Sequence, residues 1–308
     1  MSIAKIYPDS KSIDFDITKI ESRQEPTKVL MCTPDCFEVI DVKNPYMKGN
    51  TGLINKSKAH EQWHAIKRFY QLLVTAGQLE KYVEIKGAVG CEDMVFAANQ
   101  TLPWRFPDGS KKVILSKMKH PSRQKEVPFF KELFIKKGYE ILELETASHF
   151  EGMGDTIPHS GKQLLYGGYG HRSDLKAYEE ISQLLDVKII LLELIDEKFY
   201  HLDTCFLPLD EDTLMLYPGA FTEDGLATLT KTFKHIIEIP LHEAENGFAL
   251  NAHVISCSKS QSKHVLIQKG NEYTIAQLKA LNFKVTETET SEFMKSGGSV
   301  FCMKMMLY

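Results

Sequence analysis

A cysteine, a histidine and a pair of carboxylates frame the chemistry open to this chain of 308 residues. Cys302 lies near the C-terminus, shortly after Gly297-Gly298. A cysteine there is either a small buried hydrophobe or a nucleophile that needs a basic partner to become a thiolate. His201 and Asp203 stand two apart in the apolar and aromatic stretch FYHLDTCF, residues 199–206. Period-two strand geometry would put both on one face. There a carboxylate can fix the tautomer of the imidazole and hold up its pKa. The plainer alternative is a half-buried strand end with two solvated polar groups. Glu151 and Asp155 flank two glycines and a methionine. They are either a solvated acidic turn or fixed carboxylates able to grip a guanidinium group, and their glycines argue against a regular helix. Arg172 follows the loop GGYGH and suits a clamp on a substrate carboxylate, with Arg123 as a second candidate.

Other chemistries find less support. The glycines at 167, 168 and 170 lack both the phosphate-loop lysine and the dinucleotide spacing. No HExxH spacing occurs, and Cys32 and Cys36 have no second Cys or His pair at zinc-finger spacing. No metal and no cofactor are therefore expected. The net charge of −4 argues against a nucleic-acid or anionic-membrane surface. No apolar run reaches the roughly 18 residues of a membrane span. The N-terminus lacks the apolar core of a signal peptide, and the six cysteines form no disulfide-dense pattern. A cytoplasmic setting is expected.

Positioning these side chains falls to an α/β chain of small strand–helix modules repeating at about fifty residues. Hydrophobic residues at 43% and charged residues at 25% are enough for a substantial core. Strands are expected at 28–31, 82–85, 93–98, 112–116, 140–144, 163–166, 187–194 and 213–217. A strand opening at 283 and a final one over 299–307 complete the set. The strand at 93–98 delivers Asn99 at its end, and the final strand contains Cys302. A helix over 57–76 carries Trp63, Ile66, Tyr70 and Leu73 on one stripe and stops at Gly77. Further helices run from 128 to Gly138, from a Ser173 cap through Leu185, around 226–233, and from a Thr274–Gln277 capping box.

These pieces together resemble the guanidine-modifying superfamily of arginine deiminases, dimethylarginine hydrolases and amidinotransferases. The carriers are DMVFAAN at 93–99, FEGMGD at 150–155, FYHLDT at 199–204, and Gly297-Gly298 before Cys302. Four motifs in the family's order are a more specific signal than any one of them. A narrower set resembles the arginine dihydrolase domain of cyanobacterial type. It comprises MCTPD at 31–35, NPYM at 44–47, Trp63, YGGYGHRS at 166–173 and YPGAF at 217–221. The resemblance runs from about residue 28 to 308, which makes 1–27 an N-terminal extension and 28–308 the catalytic domain.

The resemblance implies the pentein fold, an α/β-propeller of five ββαβ-like modules about a pseudo-fivefold axis with the site in a central channel. It implies Cys302 as nucleophile, His201 as general acid/base, and Glu151 as the carboxylate that orients the histidine. Asn99 matches the position where deiminases carry a guanidinium-binding aspartate and dihydrolases carry asparagine. Asn44 resembles a second subgroup residue, and Asp93, Arg123 and Arg172 resemble groups that hold the amino-acid end. Asp155 and Asp203 complete the substrate-binding set. The activity implied is arginine dihydrolysis to ornithine, ammonia and carbon dioxide on a small-molecule substrate; homo-oligomers are compatible with it. The alternatives are a deiminase stopping at citrulline, a dimethylarginine hydrolase, an amidinotransferase, and a non-catalytic pentein binding protein.

Overall fold

The computed structural model describes residues 4–257 and 262–308. Within them one pattern occurs five times: two antiparallel strands, a crossover helix, and a third strand parallel to the second. Thr101–Arg105 pairs with Lys111–Leu115, and the helix Val127–Lys136 leads to Glu140–Leu142. Thr156–Pro158 and Leu164–Tyr169 are followed by Leu175–Leu185 and Lys188–Glu193. Phe206–Pro208 and Thr213–Leu216 are followed by Glu223–Thr232 and His235–Glu238. His253–Cys257 and Ser262–Gln268 are followed by Glu272–Ala280 and Lys284–Thr288. The last module is built from segments distant in sequence. Lys304–Leu307 pairs antiparallel with Lys28–Cys32, and the helix Lys56–Thr75 returns to Lys81–Ile85.

The chain forms two compact units. One holds the chain up to Glu25 with Asn99–Glu238 and Tyr308; the other holds Pro26–Ala98 with Ile239–Leu307. In the first, Trp104, Ile114, Phe150, Leu165, Tyr178, Ile181 and Ile189 share one core. Its strand Lys188–Glu193 is flanked on both sides by parallel strands, Leu164–Tyr169 and the short Ile6–Tyr7. The helices Leu175–Leu185 and Glu223–Thr232 both contact it, and Ile189, Ile190, Leu191 and Leu192 are all buried, so its apolar run is unbroken where a half-exposed strand would alternate. In the second unit the helix Lys56–Thr75 buries Ala59, Trp63, Ile66, Tyr70 and Leu73. Each large side chain so buried contributes about 1.5–3 kcal/mol. Asn55 caps the helix by accepting from the amide of Lys58, and Gly77 ends it at a φ of 68°.

Several expected elements differ. Residues 93–98 are not a strand but consecutive turns, closed by Met94 N–H to Cys91 and Phe96 N–H to Asp93. Their apolar side chains are buried because Phe96 packs edge-on against Phe37 and Phe293. His201 and Asp203 do not share a strand face. His201 precedes a 3₁₀ turn, Leu202–Thr204, whose Thr204 hydroxyl donates back to the His201 carbonyl. Cys302 likewise sits in a turn, and the final strand is only Lys304–Leu307. Gly152–Asp155 does form one helical turn, despite its glycines. Ser173 is not a helix cap: its hydroxyl donates to Asp155. Thr274 lies inside its helix and donates to Glu243 instead of making a capping box. The strands Thr101–Arg105, His253–Cys257 and Ser262–Gln268 were not expected; Pro103 hides the first, which is an edge strand.

Candidate active site

In the first unit, five of the singled-out side chains form one buried network. His201 Nε2 lies 2.7 Å from Glu151 Oε2, and Arg172 Nη1 donates to the same oxygen at 2.9 Å. The backbone N–H of Lys119 donates to Glu151 Oε1. Burial alone would raise the pKa of Glu151, but Arg172 and His201 outweigh it and hold the carboxyl well below its usual range. His201 moves to about 4, first through burial and then through Arg172 and Arg123, with Glu151 opposing. The resting pair is thus a carboxylate and a neutral imidazole. An ionised carboxylate can only accept, so the imidazole proton sits on Nε2 and Nδ1 keeps its lone pair.

Asn99 faces that lone pair. Arg123 Nη1 donates to Asn99 Oδ1 at 3.1 Å, which fixes the amide orientation. Asn99 Nδ2 is then 3.5 Å from His201 Nδ1, too long for a strong bond. Arg123 is itself gripped by Glu126 through Nε and Nη2, and Gln100 donates to the same Glu126. The Ser116 hydroxyl holds the Asn99 carbonyl at 2.6 Å.

The helical turn beside Glu151 needs its glycines. A Cβ on Gly152, whose φ is +55°, would come within 2.7 Å of the carbonyl oxygens of Asn99 and Thr101. One on Gly154 would sit 2.2 Å from Asn99 Nδ2 and 3.2 Å from His201 Nδ1. Asp155, at the end of this turn, has one oxygen on the Ser173 hydroxyl and the other on the Leu202 amide. It therefore ties the histidine turn to the carboxylate turn. Burial, with Glu151 adding, pushes its pKa well above the usual carboxylate range. Asp203 is buried in the same 3₁₀ turn. Arg172 also lies over the Tyr200 ring, 4.6 Å from its centroid.

In the second unit, Cys302 is buried and its sulfur receives a hydrogen bond from Asn251 Nδ2 at 3.1 Å. Its carbonyl accepts from Ala98 N–H. Asp93 takes Lys43 Nζ at 3.1 Å on one oxygen and the Ser296 hydroxyl at 3.0 Å on the other. Asn44 donates to the Ser296 carbonyl, so Asp93 and Asn44 meet through one serine. Asn44 Oδ1 accepts from Tyr46 N–H, the Asx cap of the turn at Pro45–Met47.

Sequence reasoning missed Ser173, Glu126 and Asn251. The signal for Asn251 was present. Each module's first strand is preceded, one to three residues upstream, by a buried polar residue or, in the last module, a buried cysteine: Asn99, Asp155, Asp203, Asn251 and Cys302. AAN at 97–99 and ALN at 249–251 occupy equivalent places. Among the described residues, no group of three His, Cys, Asp or Glu could hold a metal ion, and no helix is long and apolar enough to cross a membrane.

Comparison with known proteins shows the family of the chain. The family model described as N,N dimethylarginine dimethylhydrolase, eukaryotic, matches residues 37–308. The chain belongs to this family. It is 35% identical over 279 residues to the bifunctional arginine dihydrolase/ornithine cyclodeaminase AgrE of Nostoc sp., covering 90% of this chain and 37% of that protein. It spans well under half the length of that relative. The N(G),N(G)-dimethylarginine dimethylaminohydrolase of Mycobacterium tuberculosis is 30% identical, with 90% of this chain and 85% of that one covered. Among solved structures, the N-terminal domain of ArgZ covalently bound to a reaction intermediate superposes with a TM-score of 0.82. The identity is 32%, and 91% of this chain and 97% of that chain are covered. The fold is that of the penteins.

Proposed function

We propose that this family member hydrolyses the guanidinium group of free arginine and carries it past citrulline to ornithine, ammonia and carbon dioxide. The observation that carries the reading is the neutral amide of Asn99, oriented by Arg123 and turned to the lone pair of His201 Nδ1. A second carboxylate at that position would favour a cationic guanidinium over the neutral ureido group of citrulline. An amide can donate to the ureido oxygen as well as accept from a guanidinium nitrogen. Similarity to the arginine dihydrolase relatives over 90% of the chain supports the same choice.

In this mechanism the Cys302 thiol gives its proton to His201 Nδ1, and the resulting thiolate attacks the guanidinium carbon. The C–N bond breaks, and His201 protonates the departing ammonia. A thiouronium remains on the cysteine. Water loses a proton to His201 Nδ1 and adds to the same carbon, and the C–S bond breaks to give citrulline. A second round on the ureido carbon releases the second ammonia and a carbamate, which loses carbon dioxide to leave ornithine. Glu151 stabilises the imidazolium formed in each half-cycle. General acid–base help of this kind contributes about 10²–10⁴ in rate. Arg123, Arg172 and Asp93 hold the amino-acid end, and Asn44, Asp155 and Asp203 shape its surroundings. The catalytic domain spans 28–308 and acts in the cytoplasm.

A second reading, hydrolysis of methylated arginine, has the family description in its favour. Parallel incubations with arginine, citrulline and dimethylarginine separate the two. The proposal expects ornithine from arginine and no turnover by Cys302→Ser. Turnover of dimethylarginine alone would replace it with the second reading, and activity surviving Cys302→Ser would refute the covalent step.

A further inference from the structure

We propose that Asn251 is the positioning residue of the nucleophile: its amide shapes the turn that carries Cys302 and donates the hydrogen bond that stabilises the thiolate. The inference rests on Cys302 being the nucleophile of the proposed reaction.

Three contacts carry it. Asn251 Oδ1 accepts from the backbone N–H of Ser299 at 3.0 Å and of Cys302 at 3.2 Å. Because both are donors, the side-chain oxygen must face them, and the NH₂ group is left pointing the other way. That group lies 3.1 Å from Cys302 Sγ. The backbone of Asn251 joins the same arrangement, since its carbonyl accepts from Phe301 N–H at 2.8 Å. One fully buried asparagine thus binds the turn over 299–302 at three backbone groups and aims a donor at the sulfur.

The surroundings make that donor consequential. Cys302 and Asn251 are both buried, so bulk water does not supply the thiolate with hydrogen bonds as it would on the surface. A hydrogen bond to the charged form favours that form and lowers the pKa. The turn also admits no bulk at Gly298, where a Cβ would meet the Phe96 ring at 2.5 Å and Cys302 Cβ at 3.2 Å. The thiol is therefore fixed from the glycine side by packing and from the Asn251 side by hydrogen bonds.

The test titrates Cys302 without substrate. Iodoacetamide alkylation is followed against pH, with modification at Cys302 quantified by peptide mapping, in the parent protein, Asn251→Ala and Asn251→Asp. Asn251→Asp keeps an oxygen for the two backbone donors, has no donor for sulfur and adds a negative charge beside it, so its midpoint should rise further than that of Asn251→Ala. The expected result is a midpoint raised by about one unit or more in both variants, the size of one charge-assisted hydrogen bond. The limiting rate well above the midpoint should stay within about threefold of the parent. A purely structural role would change the limiting rate and leave the midpoint in place, and that outcome overturns the proposal. If Asn251→Ala does not fold, Asn251→Asp decides alone, and an unmoved midpoint in it overturns the proposal. A parent protein that shows the Asn251-dependent midpoint but no turnover of any guanidine would refute the proposed activity, not the role of Asn251.

Discussion

Replacing Gly154 with alanine adds one methyl group at the most crowded point of the histidine network. The new Cβ would lie 2.2 Å from Asn99 Nδ2, 3.2 Å from His201 Nδ1 and 3.3 Å from His201 Cγ. Carbon contacts are most favourable at about 3.5–4.0 Å, so the Asn99 amide must move by more than an ångström. The Ser116 hydroxyl holds the Asn99 backbone carbonyl and Arg123 holds its side-chain oxygen, so the move strains both contacts. Overpacking of this kind costs about 1–3 kcal/mol, and alanine in a helical turn returns up to about 1 kcal/mol over glycine. The net loss of stability is therefore roughly 0–3 kcal/mol, small enough to leave a protein of ordinary stability folded. Activity should suffer far more. Displacing a catalytic group by about 1 Å costs on the order of 10²-fold, so turnover of arginine should fall by at least that. The assay is kcat for arginine alongside denaturant unfolding, in a cycle of Gly154→Ala, Asn99→Ala and the double variant. Because the methyl group acts through Asn99, it should cost much less once the Asn99 amide is gone. Gly154→Ala turning over within about threefold of the parent, or costs that simply add, would refute the steric argument.

Two further outcomes follow from the same network. His201 has its pKa lowered from 6.5 to about 4, so the unfolded chain takes up a proton that the folded chain refuses. Its contribution to stability is whole above pH 6.5 and is lost as the pH falls toward 4, a drop of roughly 3 kcal/mol; unfolding free energies of the parent and His201→Asn between pH 4 and 7 should show it, and identical pH slopes would contradict it. Asn99→Asp should make citrulline accumulate, because the new carboxylate favours the guanidinium over the ureido group; product analysis showing ornithine at the parent rate would remove Asn99 from the account.

The helix Lys56–Thr75 and the buried strands at Lys28–Cys32 and Lys188–Glu193 were legible in the chain. Their signals are local: one apolar stripe at helical spacing, and short unbroken runs of branched residues. The segments that carry the candidate site were read less well. His201 and Cys302 both sit in turns just before a strand, where apolar neighbours imitate the strand itself. Those turns are closed by contacts to residues distant in sequence, such as Asp155 to Leu202 N–H and Asn251 to Cys302 N–H. Periodicity holds no record of them. Chemical type was the better guide: Glu151, not the neighbouring Asp203, has its carboxylate on His201 Nε2. The motif order identified Glu151 where period-two spacing had favoured Asp203.

The central claim is that one protein takes arginine through two rounds of C–N hydrolysis. A single time course that quantifies arginine consumed, ornithine, citrulline and ammonia tests it most directly. The account predicts two ammonia released for each ornithine formed, with citrulline never more than transient. One ammonia and one stable citrulline for each arginine consumed would contradict it.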